Sequence, residues 1–198
     1  MPPKAKITKQ DIVEAGLSLV RREGIEALNV RALACALSCS TQPVFSNFES
    51  MGQLEREIIS AAFACYLDFI EREVKSEKYP RYKAFGMAYV RFAREERELF
   101  RLLFMRDRSG EDLSPSPDFK ESVDMIAAAH GLSREVAGCI HLEMWALVHG
   151  IGIFVHFPKK IHLNLTFYCR LIILHIRLFQ ELCKVAHSFQ NDQVREQL

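Results

Sequence analysis

The chain is 198 residues long, 49% apolar and 26% charged, with 9 Gly and 7 Pro. That is enough apolar material for one large or two small packed domains, and too few turn formers for a collagenous or turn-dense all-β chain. Its 26 basic and 25 acidic residues leave a net charge of +1, which excludes a polybasic protein but leaves room for a local basic patch.

No segment reads as transmembrane. The longest apolar run, Met144–Phe157, is interrupted by His149 and His156 and falls short of the roughly 20 residues that a spanning helix needs. The opening Met1-Pro2-Pro3-Lys4-Ala5-Lys6 lacks the apolar stretch of a signal peptide. Cysteines at 35, 39, 65, 139, 169 and 183 sit in apolar or helical stretches, so they read as reduced thiols of a cytoplasmic protein.

Helical periodicity runs the length of the chain, and the expected fold class is all-α. Thr8 and Asp11 form a capping box, with Ile7 and Ile12 at the staple positions. Ile12, Ala15, Gly16, Leu19 and Val20 then mark one buried face, and Gly24 is a C-terminal stop. Asn29 can cap a second short helix whose inner face is Val30, Leu33, Ala34 and Leu37. A turn near Leu37-Ser38-Cys39 leads to a third short helix from Ser40 to Asn47, with Pro43 in its first turn. Ser50 and Gln53 open a long helix to about Val74.

Further helices are expected over about 81–95 and 96–105, then a polar loop over 106–117. Ser116-Pro117 starts the next helix, which ends at His130-Gly131. Ser133 caps another that reaches Phe157, and a last one runs over about 164–188.

The second and third helices, joined by a tight turn, have the arrangement of a helix-turn-helix, whose second member enters the DNA major groove. Ser40, Thr41 and Gln42 are polar and nothing about a core requires them. Gln can pair bidentately with adenine, and Ser and Thr can bond a base edge or a phosphate. Lys4, Lys6 and Lys9 form a basic arm, and Arg31 is placed to clamp a phosphate. Residues 1–50 nevertheless hold only 6 basic against 5 acidic side chains. DNA attraction must therefore come from the arm and the helix ends.

These residues carry a resemblance. Ile12-Val13-Glu14-Ala15-Gly16-Leu17, then Gly24 through Ala34, then Leu37-Ser38-Cys39-Ser40-Thr41-Gln42-Pro43-Val44-Phe45-Ser46-Asn47-Phe48 and Ser50 resemble the DNA-binding domain of TetR/AcrR-type transcriptional regulators. The resemblance implies a helix-turn-helix domain over 1–50 and a helical ligand-binding and dimerisation domain over 51–198. It implies DNA contacts from Lys4, Lys6, Asn29, Arg31, Ser40, Thr41, Gln42, Pro43, Phe45 and Asn47. There are departures. Ser38 stands where Gly is usual, Phe45 where Tyr is frequent, Asn47 where His is common and Met51 where Lys often opens the fourth helix. Two phosphate contacts are thereby lost, so weaker non-specific affinity and a shallower salt dependence are expected.

Trp145-Ala146-Leu147-Val148-His149-Gly150 is similar to the Trp-x-x-x-His-Gly signature of one C-terminal subclass. Phe63, Tyr66, Tyr89, Phe104, Trp145 and His149 are the residues expected around a pocket for an unknown small-molecule effector. Apolar positions beyond one face of the last two helices point to a two-fold four-helix bundle. Leu147, Ile151, Phe154, Leu171, Leu174, Leu178, Phe179 and Leu182 are its expected contacts. The expected protein is a ligand-responsive repressor, a cytoplasmic homodimer on double-stranded DNA, with no cofactor, no metal and no membrane partner. A helical enzyme or a non-DNA interaction module using the apolar pocket is the alternative. Against the enzyme stands the lack of a G-x-S-x-G, P-loop, dinucleotide or H-E-x-x-H motif. Cys35-x-x-x-Cys39 lacks the second pair that a zinc site requires.

Overall fold

The computed structural model describes residues 7–107 and 117–156. Every regular element among the described residues is helical, as the sequence pattern implies. The elements are α1 (Lys9–Glu23), a 3₁₀ turn (Ile25–Ala27), α2 (Val30–Ala36), α3 (Gln42–Asn47), α4 (Met51–Lys75), α5 (Arg81–Glu95), α6 (Arg97–Phe104), α7 (Pro117–His130) and α8 (Arg134–His156). The helix expected over 164–188 lies outside the described residues, as do Lys4, Lys6, Leu171, Leu174, Leu178, Phe179 and Leu182.

Local chemistry sets the helix starts. The Thr8 hydroxyl accepts from the Asp11 amide at 3.1 Å, and the Thr8 amide donates to the Asp11 carboxylate at 2.7 Å. The Thr8 amide, and after it the Thr8 hydroxyl, donate to the Asp11 carboxylate at 2.7 Å and hold that carboxyl below its ordinary range. Asn29 caps α2 through the Ala32 amide at 2.9 Å. Ser50 caps α4 through the Gln53 amide at 3.2 Å, while the Gln53 side chain accepts from the Glu49 amide. α1 stops at Gly24, whose φ of 86° few other residues tolerate. α3 differs from expectation: it begins at Gln42 with Thr41 as the cap, and no side chain bonds its first amides. Pro43 in the first turn supplies the fixed φ that lets it start there.

One apolar cluster joins α1 through α6. Ile12 and Val20 of α1, Leu33 of α2, Val44 of α3, Leu54 and Ile58 of α4, Phe92 of α5 and Phe100 of α6 belong to a single buried cluster. α1 therefore packs on both α4 and α6. Two ion pairs reinforce that junction, Arg21 with Glu96 at 2.8 Å and Arg101 with Glu26 at 2.7 Å. α5 lies between α4 and α8, and α7 packs on α8. Gly152 lets α8 close onto the rings below it. A Cβ there would sit 2.9 Å from Phe100 Cζ and 3.1 Å from Tyr89 Cε1.

Ile151 corrects an expectation. It is buried inside the protomer against Met87 and Val90, with Leu147 packed on the same cluster. Leu142, Trp145 and Phe154 of α8 are exposed instead. By length and composition alone, Arg134–Val155 could cross a bilayer. Its His141 and His149, however, are hydrogen-bonded to Tyr82 and Tyr89 of α5, so that polar face is spent on protein.

Candidate functional site

Two regions of the structure carry recognisable chemistry. The first is the outer surface of α2 and α3. Val44 is buried and seats α3, which turns Ser40, Gln42, Phe45 and Ser46 outward. Phe45 is 68% exposed. The turn before α3 places Ser38 at φ 50°, the conformation a glycine would adopt without strain. The Cys39 amide, donating to Ala34 O at 2.9 Å, holds that turn closed.

Several predicted contacts are already committed within the chain. The Asn29 side chain caps α2 with its oxygen and donates to Ala27 O with its amide nitrogen at 3.1 Å. Asn47 donates to Pro43 O at 2.7 Å, and the Ser46 hydroxyl donates to Gln42 O at 2.9 Å. Lys9 is inside α1 and pairs with Glu57 at 2.5 Å, so it is not part of a free basic arm. Arg31 is exposed in the first turn of α2 and forms no ion pair among the described residues. Among the described residues, the predicted contacts whose side chains form no such bond are Arg31, Ser40, Thr41, Gln42, Pro43 and Phe45.

The second region is a cavity of about 380 Å³ between α4, α5, α7 and α8, with Phe104 of α6 also in its lining. Phe63, Tyr66, Tyr89, Phe104 and Trp145 line it, as do Tyr82, Lys83, Phe85, Phe119, Ser122, His141, Met144 and Val148. Periodicity explains why these side chains converge. Tyr82, Phe85 and Tyr89 recur at the three- and four-residue spacing of one α5 face, and His141, Met144, Trp145 and Val148 do the same on α8.

His149 stands behind the wall and does not line the cavity. Its Nδ1 is 2.6 Å from the Tyr89 hydroxyl, and the Trp145 ring stacks on it at 5.1 Å and 9°. The Tyr82 hydroxyl and His141 Nδ1 make a parallel pair at 3.0 Å. Burial lowers both histidines and raises both tyrosines from their ordinary values, so each pair is neutral near pH 7. Tyr66, Tyr89, Phe100 and Phe104 pack edge-on or tilted at 4.8–5.9 Å, a rigid aromatic floor.

Residues 82–157 match the family described as the tetracyclin repressor-like C-terminal domain. Most of the cavity lining falls within the matched residues, and α4 supplies Phe63, Tyr66 and Ile70 from outside them. A TetR-type domain is a regulator domain, and it supports a transcriptional regulator in general terms.

A solved structure titled as a protein with unknown function from Rhodococcus sp. RHA1 shares the fold, with a TM-score of 0.68 and 20% identity. It covers 90% of this chain and 97% of that one. No curated protein matches the chain.

Among the described residues no group of His, Cys, Asp and Glu could hold a metal ion. The cysteines described, Cys35, Cys39, Cys65 and Cys139, are free thiols. Tyr82, Lys83, Phe119, Ser122 and His141 escaped the sequence reading, although the α5 and α8 stripes contained the signal for the first and last of them.

Proposed function

We propose that this TetR-type protein is a ligand-responsive transcriptional repressor that binds a pseudo-palindromic operator as a cytoplasmic homodimer. One observation carries the reading: α3 projects Gln42, Phe45 and the residues of its N-terminal turn outward, on a chain with a regulator-type C-terminal domain. Two such helices related by a two-fold axis read successive major grooves when they stand one DNA turn apart, about 34–36 Å. Gln42 is the assigned base reader, and Arg31 and the Thr41 end of α3 are the assigned phosphate contacts. An effector in the aromatic cavity acts by favouring one spacing of the two heads. α6 is suited to pass that bias on, because Phe104 lines the cavity while Arg101 and Glu96 pair with Glu26 and Arg21.

The test is retardation of the promoter fragment of its own locus, repeated across salt concentrations. Gln42→Ala is expected to relax base preference at one operator position, at about 1–3 kcal/mol. Equal weakening on all sequences would remove Gln42 from the role of base reader. Failure to retard the fragment at low salt would remove the repressor reading.

A further inference from the structure

This inference rests on reading the aromatic cavity as an effector site, and it concerns the chemistry of the effector. Phe63, Tyr66, Phe85, Phe104, Phe119 and Trp145 offer ring faces and edges, so the body that fits best is itself flat and apolar. Lys83 is the one charged residue among the described residues that line the cavity. Its ammonium stands 4.6 Å from the Tyr79 ring centroid and has no ion pair among the described residues. No Asp or Glu is present in the described lining. The other polar groups there, including the hydrogen-bonded Tyr82 and His141, are neutral.

Among the described lining residues, the field is therefore that of one positive charge over apolar walls. A cationic ligand would leave water without a counter-charge and face Lys83 as a like charge. A neutral ligand would gain only from burial. An anion gains burial together with a charge-assisted contact in a medium of reduced dielectric. We propose that the cavity binds an aromatic monoanion, its ring system between the aromatic walls and its carboxylate or equivalent acid group on Lys83.

Three probes with one ring system and different charge test this: 2-naphthoate, 2-naphthol and 2-naphthylmethylamine, each equilibrium-dialysed against the full-length protein at pH 7.5. The naphthoate is expected to bind about tenfold more tightly than either of the others. Lys83→Met is expected to bring naphthoate down to the level of naphthol without changing naphthol, and Lys83→Arg to keep the preference. If all three probes bind alike, or if Lys83→Met leaves the naphthoate preference in place, the cavity reading stands and the anion assignment falls. If none of the three binds, the effector-site reading falls and takes the anion assignment with it.

Discussion

On the repressor reading, Phe45 and Met51 separate two kinds of DNA contact that are easily confused. Phe45 is exposed on α3 and lacks a hydroxyl, while Met51 opens α4 without a charge. A hydroxyl on a phosphate is a neutral contact and releases no counterion, whereas a lysine does. Phe45→Tyr should therefore tighten DNA binding by about 1 kcal/mol at an unchanged salt slope. Met51→Lys should steepen the slope of log K against log salt by about 0.9. Retardation or anisotropy titrations at several salt concentrations distinguish the two.

The histidines set a second residue-scale prediction. Burial lowers His141 and His149 in the fold, so the unfolded chain binds their protons more readily. Acidification through the ordinary histidine range near 6.5 should thus reduce stability, with little dependence above it. The melting temperature is expected to fall between pH 7.5 and 5.5, and to fall less in a His141→Gln, His149→Gln double variant.

Among the elements, α8 is the most constrained, because Gly152 presses its backbone onto the Phe100 and Tyr89 rings. These are rigid aromatic atoms in a packed floor, so they cannot swing aside as a flexible aliphatic end could. Gly152→Ala should cost about 1–3 kcal/mol in urea unfolding. Helix starts at Thr8, Asn29 and Ser50 were legible in the sequence because a cap is a bond between residues three apart. The face of each helix was legible from its spacing. Two kinds of information were not. The second bond of Asn29, from its amide nitrogen to Ala27 O, lies in a turn that no periodic pattern announces. Ile151 and Phe154 look alike in an apolar run, and only the position of α5 decides that the first is interior and the second exposed. Likewise the 3₁₀ turn at Ile25–Ala27 has no pattern long enough to announce it.

For the whole molecule, α8 leaves Leu142, Trp145 and Phe154 exposed. A second copy of the chain is the partner that the repressor reading assigns to it, and the joint should bury more than about 2,000 Å². Equilibrium sedimentation at micromolar concentration should give the mass of a dimer, and a monomer there would contradict the assignment. The buried cluster that joins Ile12 and Leu33 to Phe92 and Phe100 has its own consequence. The expected boundary near residue 50 is therefore not a seam in the packing. A hybrid made by splicing this head onto a relative's body at that point would expose half an interior to an unfamiliar mate. Ile12 and Val20 would have to find new lodging on foreign versions of α4 and α6. New operators are reached more cheaply by changing the few side chains at the tip of α3, which no interior depends on, than by exchanging heads.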